Sequence, residues 1–477
     1  MGSDNVRRPD STRRKGWWPD ARKRTRPDRG RPPCTDPRFL PLRSCAPMTI
    51  PVAAFCLVLG ACALPAASEQ RVFPGAAERR EDAQALCRFV AEEYAYLDRK
   101  VLDWPRTCAH FAPLAERAPD EGAFIGVLET LLAQLHDSHA HLGTNTTASP
   151  RLVPSQADAM AAWRDGRALV TDVREGSAAA RAGLAPGDEI VTIDDVPVAR
   201  AAAAHEPLLL GGDRAEARDW ALRVALAGRH ETDRVRLGVR SPAGTRTVAY
   251  SPAYPEPAKR LESSMQDGIA HLRVRNSLGE TQLVRDIDGA LDRLDDARAL
   301  VLDLRDTPSG GNSSVARGIL GRFVDRLSPY QRHELVSEFR STGIRRIWTE
   351  SVAPRGAPFR GPVVVLVGPW TGSMGEGIAI GLSAARAAPV LGRPMARLRG
   401  ALGEISLPHS HIAARIPVET LHHVDGTPRE AFVPCAVEGS SEGDAALATA
   451  RRLAAWLAKR DGPNPLGTKP CAGVPPR

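Results

Sequence analysis

The stretch GPVVVLVGPWTGSMGEGIAIGLSAAR, residues 361–386, decides the architecture expected of this chain. Pro362 to Val367 form a continuous run of β-branched residues and leucine, which is typical of a parallel strand buried on both faces. A turn follows, and Ser373 then begins a predicted helix. Small residues would let this helix lie close against the sheet, namely Gly375, Gly377, Ala379 and Gly381.

Ser373 is therefore predicted to lie at a helix N-terminus. Free backbone N–H groups and the positive end of the helix dipole suit an oxyanion there, and the N–H of Met374 is the natural donor. Glu376, in the first turn, suits the same dipole. A serine in this position can also simply cap a helix. The stretch alone leaves both interpretations open.

The composition is that of a globular protein with a charged N-terminal extension. The 477 residues are 43% hydrophobic and can hold two or three domains. Much of the net charge of +8 comes from residues 1–47, where arginines and lysines stand among prolines. We expect this basic extension to be disordered, either upstream of a start at Met48 or as a long signal-peptide n-region. A nucleic-acid arm is the weaker alternative, and no nucleic-acid partner is predicted.

Residues 48–67 read as a signal peptide, uncharged and too short and alanine-rich for a membrane span. We therefore expect an exported protein, periplasmic or secreted. Leu59 to Cys62 resembles a lipoprotein cleavage box, which would leave Cys62 lipidated and the protein anchored to a membrane, although Gly60 is unusual at its position. Simple cleavage after Ala63 or Ala67 is the alternative.

An even number of cysteines remains in the mature chain once Cys62 is set aside, as disulfides in an exported protein would require. The expected pairs are Cys87 with Cys108 and Cys435 with Cys471, and the alternative is four unpaired thiols. The cysteines lack the close spacing of a zinc site, so neither a metal nor a cofactor is predicted.

Residues 68–148 are expected to form a helical N-terminal domain, with apolar residues at helical spacing from Glu69 to Gly143. The region ends in LHDSHAHL, residues 135–142. Its histidines do not share one helical face, which argues against a metal site. His139 is a candidate for chemistry only if a partner lies elsewhere in the chain.

Residues 149–254 have the texture of a small β-rich domain. Strands are predicted over 168–173 and 189–193, with a short helix between them and a continuation through Val196 to Val198. The run ALVTDVREGSAAARAGLAPGDEIVTIDDVPV, residues 168–198, resembles a PDZ domain. That resemblance implies a polypeptide partner, with a peptide C-terminus added to a sheet edge. The alternative is an internal scaffold whose groove is closed.

Residues 255–460 are expected to form the last domain, followed by a tail over 461–477. Strands over 268–274 and 299–304 alternate with helices over 282–294 and 314–323, and the strand Pro362 to Val367 precedes Ser373. This order predicts a layered α/β architecture. The paired Gly310 and Gly311 after a buried strand allow close backbone approach to a ligand, or form a plain turn.

Two runs, ALVLDLRDTPSGG and PVVVLVGPWTGSMGE, stand behind the PDZ-like region and LHDSHAHL. In this order they resemble the tricorn and C-terminal-processing family of serine peptidases. The resemblance implies a core like those of ClpP and crotonase, with Ser373 as nucleophile and an oxyanion hole from Gly310 or Gly311 with the Met374 N–H. The family's asparagine is replaced near Thr307, and Cys435 stands where an aspartate is frequent.

The family activates its serine in two ways, with a downstream lysine or with a histidine. This chain has no lysine between Lys259 and Lys459, and arginines there do not give up a proton. The tricorn-like branch places a histidine where this chain has His139. The resemblance further implies that Glu430, through Ser138, orients that histidine. The alternative for Glu430 is a surface carboxylate. Asp137 is a competing acid because it lies next to this motif in sequence.

The sequence thus predicts an exported serine endopeptidase acting on polypeptides. One rival is an α/β-hydrolase esterase, because Thr371 to Gly375 resembles a nucleophile elbow that lacks its first glycine. Histidines that could serve it lie downstream, at His409, His411, His422 and His423. The other rival is a non-catalytic peptide-binding protein of the same fold.

Overall fold

Three helices form the N-terminal part of the structure, a computed structural model that describes residues 73–208, 211, 214–252, 258–437 and 443–459. They are α1 (Ala76–Glu93), α2 (Trp104–Glu116) and α3 (Glu121–Ala133), followed by the short strand β1 (His141–Leu142). The carboxylates of Asp103 and Asp120 cap α2 and α3 by accepting main-chain N–H groups. A disulfide joins Cys87 to Cys108 across α1 and α2, with a Cα–Cα distance of 6.0 Å, which confirms the first predicted pair.

The prediction of helix as far as Gly143 is wrong beyond Ala133, where α3 ends. His136 has a φ of 36°, which a helix cannot contain. The chain then runs out to place His141 and Leu142 in a sheet. His139 consequently lies on an ordered turn between a helix and a strand.

The PDZ region is a sheet with helices at its edge. Its strands are β2 (Ala159–Arg164), β3 (Arg167–Val173), β4 (Glu189–Ile193), β5 (Val196–Pro197), β6 (Val235–Ser241) and β7 (Gly244–Tyr250). Its helices are α4 (Ala178–Arg181), α5 (Val198–Ala203) and α6 (Ala215–Ala227). The strand order is β2-β3-β4-β6-β7, with β5 paired to β4. The predicted continuation to Val198 is thus a two-residue strand that gives way to α5.

The core contains a six-stranded sheet of order β17-β14-β13-β10-β9-β8, in which only β8 is antiparallel to its neighbour. Its strands are β8 (Leu261–Gln266), β9 (Ile269–Arg275), β10 (Ala299–Asp306), β13 (Val363–Val367), β14 (Val390–Gly392) and β17 (Cys435–Ala436). Helices α7 (Gln282–Arg293), α8 (Ser313–Leu320) and α10 (Met374–Arg386) cover one face, and α11 (Gly443–Lys459) covers the other. Both predicted central strands are buried on both faces, as a parallel sheet between helices requires.

A second, antiparallel sheet flanks α10 and has the order β1-β16-β11-β12, with β15 also paired to β16. Its remaining elements are β11 (Ser328–Leu335), α9 (Val336–Thr342), β12 (Arg346–Val352), β15 (Ala401–Ser406) and β16 (Ala413–His422). Because β1 pairs with β16, the segment that carries His139 is attached to the core. The predicted three-part α/β architecture is confirmed.

Some sequence predictions fall outside the described residues. They are the basic extension 1–47, the signal peptide 48–67 with Cys62, Cys471 and the tail 461–477. The pairing of Cys435 with Cys471 therefore stays a prediction. No helix among residues 73–459, where described, is both long and apolar enough to cross a membrane.

Candidate active site

Ser373 lies between the turn that follows β13 and the first residue of α10. Its backbone has φ 49° and ψ −109°, a conformation that a residue with a side chain rarely adopts. Strain of this kind costs about 1–3 kcal/mol and concentrates at functional sites. The Glu376 carboxylate accepts the Ser373 N–H at 2.9 Å, as in a capping box, but capping alone does not require the strained backbone.

The turn before Ser373 is tied to the end of β10. Buried Thr371 donates its hydroxyl to the carbonyl of Leu304 at 2.8 Å and accepts the N–H of Gly368 at 3.0 Å. The N–H of Thr307 donates to the carbonyl of Trp370 at 3.0 Å. These bonds hold the serine opposite the glycine loop that follows β10.

Gly310 lies against Ser373 and needs to be glycine for two reasons. Its φ is 64°, and a Cβ added to it would lie 2.5 Å from the Ser373 Cβ and 3.2 Å from the Met374 nitrogen. The N–H of Gly310 is already donated to the carbonyl of Thr307, at 3.1 Å. Among the described residues, the N–H groups of Gly311 and Met374 have no protein acceptor. The Met374 N–H follows Ser373 directly in the chain, and the Gly311 N–H lies on the glycine loop after β10, so both groups are available as donors.

We expect Gly310→Ala to reduce turnover by about 100-fold or more, because a displacement of about 1 Å at reacting groups can cost that much. The matched control is Gly343→Ala, since Gly343 also has a positive φ, 73°, but an added Cβ there meets nothing within 4 Å. Hydrolysis of labelled casein measures both variants. Equal activity in the two would mean that the contact with Ser373 is irrelevant to turnover.

Glu376 is a buried carboxylate that links Ser373 to a distant loop. It accepts the N–H of Ser373 at 2.9 Å, that of Arg397 at 2.9 Å and that of Leu398 at 3.1 Å. Burial raises the pKa of Glu376 to about 7, and the positive charge of Arg429 opposes this rise. The sequence predicted only a favourable dipole contact for this residue. Its connection to residues 397 and 398 depends on tertiary contacts.

Glu376→Gln should destabilise the protein by about 1–3 kcal/mol, because the amide NH₂ replaces an oxygen that faces N–H donors. Glu78→Gln is the control: Glu78 also accepts a main-chain N–H, that of Gly75 at 2.7 Å, but on the surface.

The carboxyl of Glu376 binds its proton more tightly in the folded state than in the unfolded state. The free energy of unfolding of the wild type should therefore fall as pH rises from 4.5 to about 7. Urea unfolding across that range should show this slope in wild type and lose it in Glu376→Gln. A slope that persists in the variant would contradict the assignment.

His139 is buried, and its ring is fixed by a main-chain carbonyl. Its Nδ1 lies 2.5 Å from the carbonyl oxygen of Arg399, and its main-chain N–H donates to Asp137 Oδ1 at 3.0 Å. Because a carbonyl can only accept, Nδ1 carries the proton and Nε2 presents a lone pair. Burial lowers the pKa of His139 to about 4. The imidazole is thus neutral near pH 7, as a base must be.

The other residues of the predicted tetrad are not joined to the His139 ring. Glu430 pairs through Oε1 with Arg99, at 3.2 Å, and its Oε2 is buried without a partner. Ser138 lines a cavity of about 540 Å³ between α3 and the PDZ region. Asp137, the competing acid, accepts the Tyr94 hydroxyl at 2.7 Å rather than the ring.

Ser373 and His139 share no hydrogen bond within the described part of the chain. They are connected through loop 397–400: Glu376 bonds both Ser373 and Leu398, and the next residue, Arg399, holds His139. The downstream histidines that the esterase interpretation requires form no hydrogen bond to Ser373 among described residues. His409 pairs with Glu81 and His423 with Asp425.

The residues that the structure describes contain no group of three or more histidine, cysteine, aspartate or glutamate side chains arranged to hold a metal ion. The groups described at Ser373 itself are a serine in a strained backbone conformation and main-chain N–H groups without a protein acceptor.

Comparisons with known proteins agree with this architecture. Residues 268–431 match the model of peptidase family S41, and residues 169–208 match a PDZ domain. The fold is similar to that of mature CPAF complexed with lactacystin, with a TM-score of 0.56 and 15% identity over 81% of this chain and 99% of that one. It is also similar to the photosystem II D1 C-terminal processing protease, with a TM-score of 0.51 and 15% identity over 79% and 97%. No curated protein sequence matches the chain.

Proposed function

Because residues 268–431 of this serine-type peptidase form a family S41 domain, accompanied by a PDZ domain, we propose that it is an exported endopeptidase acting through an acyl-enzyme at Ser373. His139 is the proposed general base. The observation that carries the proposal is the strained Ser373 at a helix N-terminus, beside Gly310 and the free N–H groups of Gly311 and Met374.

In the first step, Nε2 of His139 takes the hydroxyl proton of Ser373 while Oγ attacks the carbonyl carbon of a peptide bond. Negative charge moves to the carbonyl oxygen, where the N–H groups of Gly311 and Met374 stabilise it. His139 then gives its proton to the leaving amine, and the C–N bond breaks. Water, deprotonated by the same imidazole, hydrolyses the ester and releases the carboxylic acid.

Substrate binding has to bring His139 into contact with Ser373 for these reaction steps to occur. Loop 397–400 is the element that connects them, through Glu376 on one side and the carbonyl of Arg399 on the other. A shift of this loop carries the imidazole toward the serine. Catalytic hydrogen bonds are often long without substrate and tighten in the complex.

Glu430 is proposed to support the histidine through Ser138 in the substrate complex. Its Oε2 is buried and without a partner, so it can accept one further hydrogen bond. In the substrate-free protein the Arg399 carbonyl alone sets the tautomer of His139. Glu430 therefore acts on the imidazolium that forms during the reaction.

Export is proposed from residues 48–67, with a lipid anchor at Cys62 as one form of it. The Cys87–Cys108 disulfide supports an oxidising compartment, since such bonds are rare in cytosolic proteins. Fractionation of cells that express wild type or Cys62→Ala tests both parts. Wild type in the membrane fraction and Cys62→Ala released from it is the result expected for an anchor.

The experiment that tests the proposed function is labelling of the purified protein with a fluorophosphonate probe, followed by identification of the labelled residue. We expect one labelled serine, Ser373, with labelling prevented in Ser373→Ala and in His139→Ala. Absence of labelling in folded wild type would favour the non-catalytic peptide-binding alternative. Labelling of another serine would remove Ser373 from the mechanism.

A further inference from the structure

Strand β2 forms one edge of the PDZ sheet, and the chain itself covers that edge. Strand β2 pairs with β3 on one side, and helix α6 packs on its other side. The N–H of Trp163, an edge group of β2, donates to the carboxylate of Asp219 on α6 at 2.7 Å. A peptide strand would have to displace this bond and separate the helix from the strand.

Apolar packing closes the same edge. Ala159 and Ala161 of β2 lie in one buried cluster with Leu222, Ala225 and Leu226 of α6. The free side of β2 is thus packed against α6 without an external peptide.

The two elements that close this edge, strand β2 and helix α6, are each also connected to one proposed catalytic residue. On the strand side, Trp370 precedes Ser373 by three residues and is 5% exposed. Its indole N–H donates to the carbonyl of Ala157 at 2.9 Å, just before β2. Its ring packs in a cluster with Val153, Ala157 and Met160, which lie before or in β2, and with Ala227 of α6.

On the helix side, Glu216 in the first turn of α6 pairs with the guanidinium of Arg399. The same guanidinium lies 3.9 Å from the buried carboxylate of Asp137. The carbonyl of Arg399 holds Nδ1 of His139. Helix α6 is thereby connected to the imidazole through a single residue.

We propose that the PDZ domain of this chain is a closed brace that positions Ser373 and His139 through Trp370 and Arg399, and that it does not act as a receptor for peptide ends. Trp370 and Arg399 are positioning residues, since neither touches a reacting atom. The inference rests on the proposed function only in taking Ser373 as the nucleophile and His139 as the base.

Trp370→Phe tests the strand side, with Trp220→Phe as its matched control. Both remove an indole N–H from a buried tryptophan, but the Trp220 N–H has no partner, whereas that of Trp370 is bonded to Ala157. For fluorophosphonate labelling we expect the maximal rate constant of Trp370→Phe to fall about tenfold with the half-saturating probe concentration unchanged. Trp220→Phe should label as wild type does.

Glu216→Gln tests the helix side against Glu206→Gln, since Glu206 forms a PDZ ion pair with Arg218, at 3.7 Å, that leads to no catalytic residue. The expected fall in the maximal rate constant is smaller, about threefold, because the Glu216 side chain is largely exposed. Glu216→Asp should restore part of it. A merely structural role would lower the fraction of protein that labels and leave the rate constant unchanged, and that result would overturn the inference.

Hydrogen exchange distinguishes the brace from a receptor. In Ser373→Ala protein, the β2 amides should exchange equally with and without excess β-casein as a polypeptide probe. A change in β2 exchange on adding β-casein would show that a peptide enters the edge and would overturn the inference. No labelling of wild-type Ser373 would instead defeat the proposed function, so the two failures are distinguishable.

Discussion

Ser373→Ala is expected to abolish peptide hydrolysis, with a loss of about 10⁶-fold in kcat, as found when a nucleophile that acts as a unit with its base is removed. The serine is half-buried, and the bond between its main-chain N–H and Glu376 does not depend on the hydroxyl. Its removal should therefore leave the stability within about 0.5 kcal/mol of wild type. Casein hydrolysis and urea unfolding measure the two quantities separately.

Ser314→Ala is the matched control for that variant, because Ser314 is an exposed serine in the first turn of α8, close in sequence to the glycine loop. It should retain wild-type hydrolysis. A Ser373→Ala protein that still turns over casein after repurification would exclude an acyl-enzyme at this position. Loss of activity in both variants would point to damage of the loop rather than to a lost nucleophile.

His139→Gln is expected to lower kcat/KM by about 10²–10⁴-fold, the usual contribution of a general base. The pH profile gives a sharper test. Burial lowers the pKa of His139 to about 4, so the neutral, active imidazole persists down to that pH. Wild-type activity should be lost as pH falls through about 4 rather than near 6.5, and this acidic limb should vanish in His139→Gln.

His409→Gln is the control, since His409 is a surface histidine paired with Glu81 at 2.7 Å. It should leave both the rate and the acidic limb unchanged. Circular dichroism at each pH is needed, because a buried neutral histidine also makes the folded state less stable as pH falls from 6.5 toward 4. A large loss in His409→Gln with wild-type activity in His139→Gln would favour the esterase arrangement.

The central strands and the helix after Ser373 could be predicted from sequence because their pattern is local. The run at Val363–Val367 is apolar throughout, and a strand with two apolar faces is stable only when layers of helices bury both faces. The glycines of α10 made its close packing foreseeable, and an added Cβ on Gly375 would lie 2.4 Å from the Thr307 hydroxyl. Local pattern and tertiary packing agree at these positions.

The second sheet and the support of His139 could not be predicted in the same way. Strand β16 contains Pro417, and β12 has a single buried residue, so neither has a clean alternation of apolar and polar residues. The group that holds the imidazole is the main-chain carbonyl of Arg399, and any residue type supplies a carbonyl. Side-chain motifs therefore pointed to Ser138 and Glu430, which the substrate-free protein keeps apart from the ring.

The pairing of β1 with β16 also sets when the segment that carries His139 can take its final place as the chain is made. His139 adjoins a strand whose partner is made only after Ser373 and most of the core have been synthesised. Until β16 has been made, the segment that carries His139 has no partner strand in the core. Under the proposed mechanism, a chain that stops short of β16 has its nucleophile but not its positioned base.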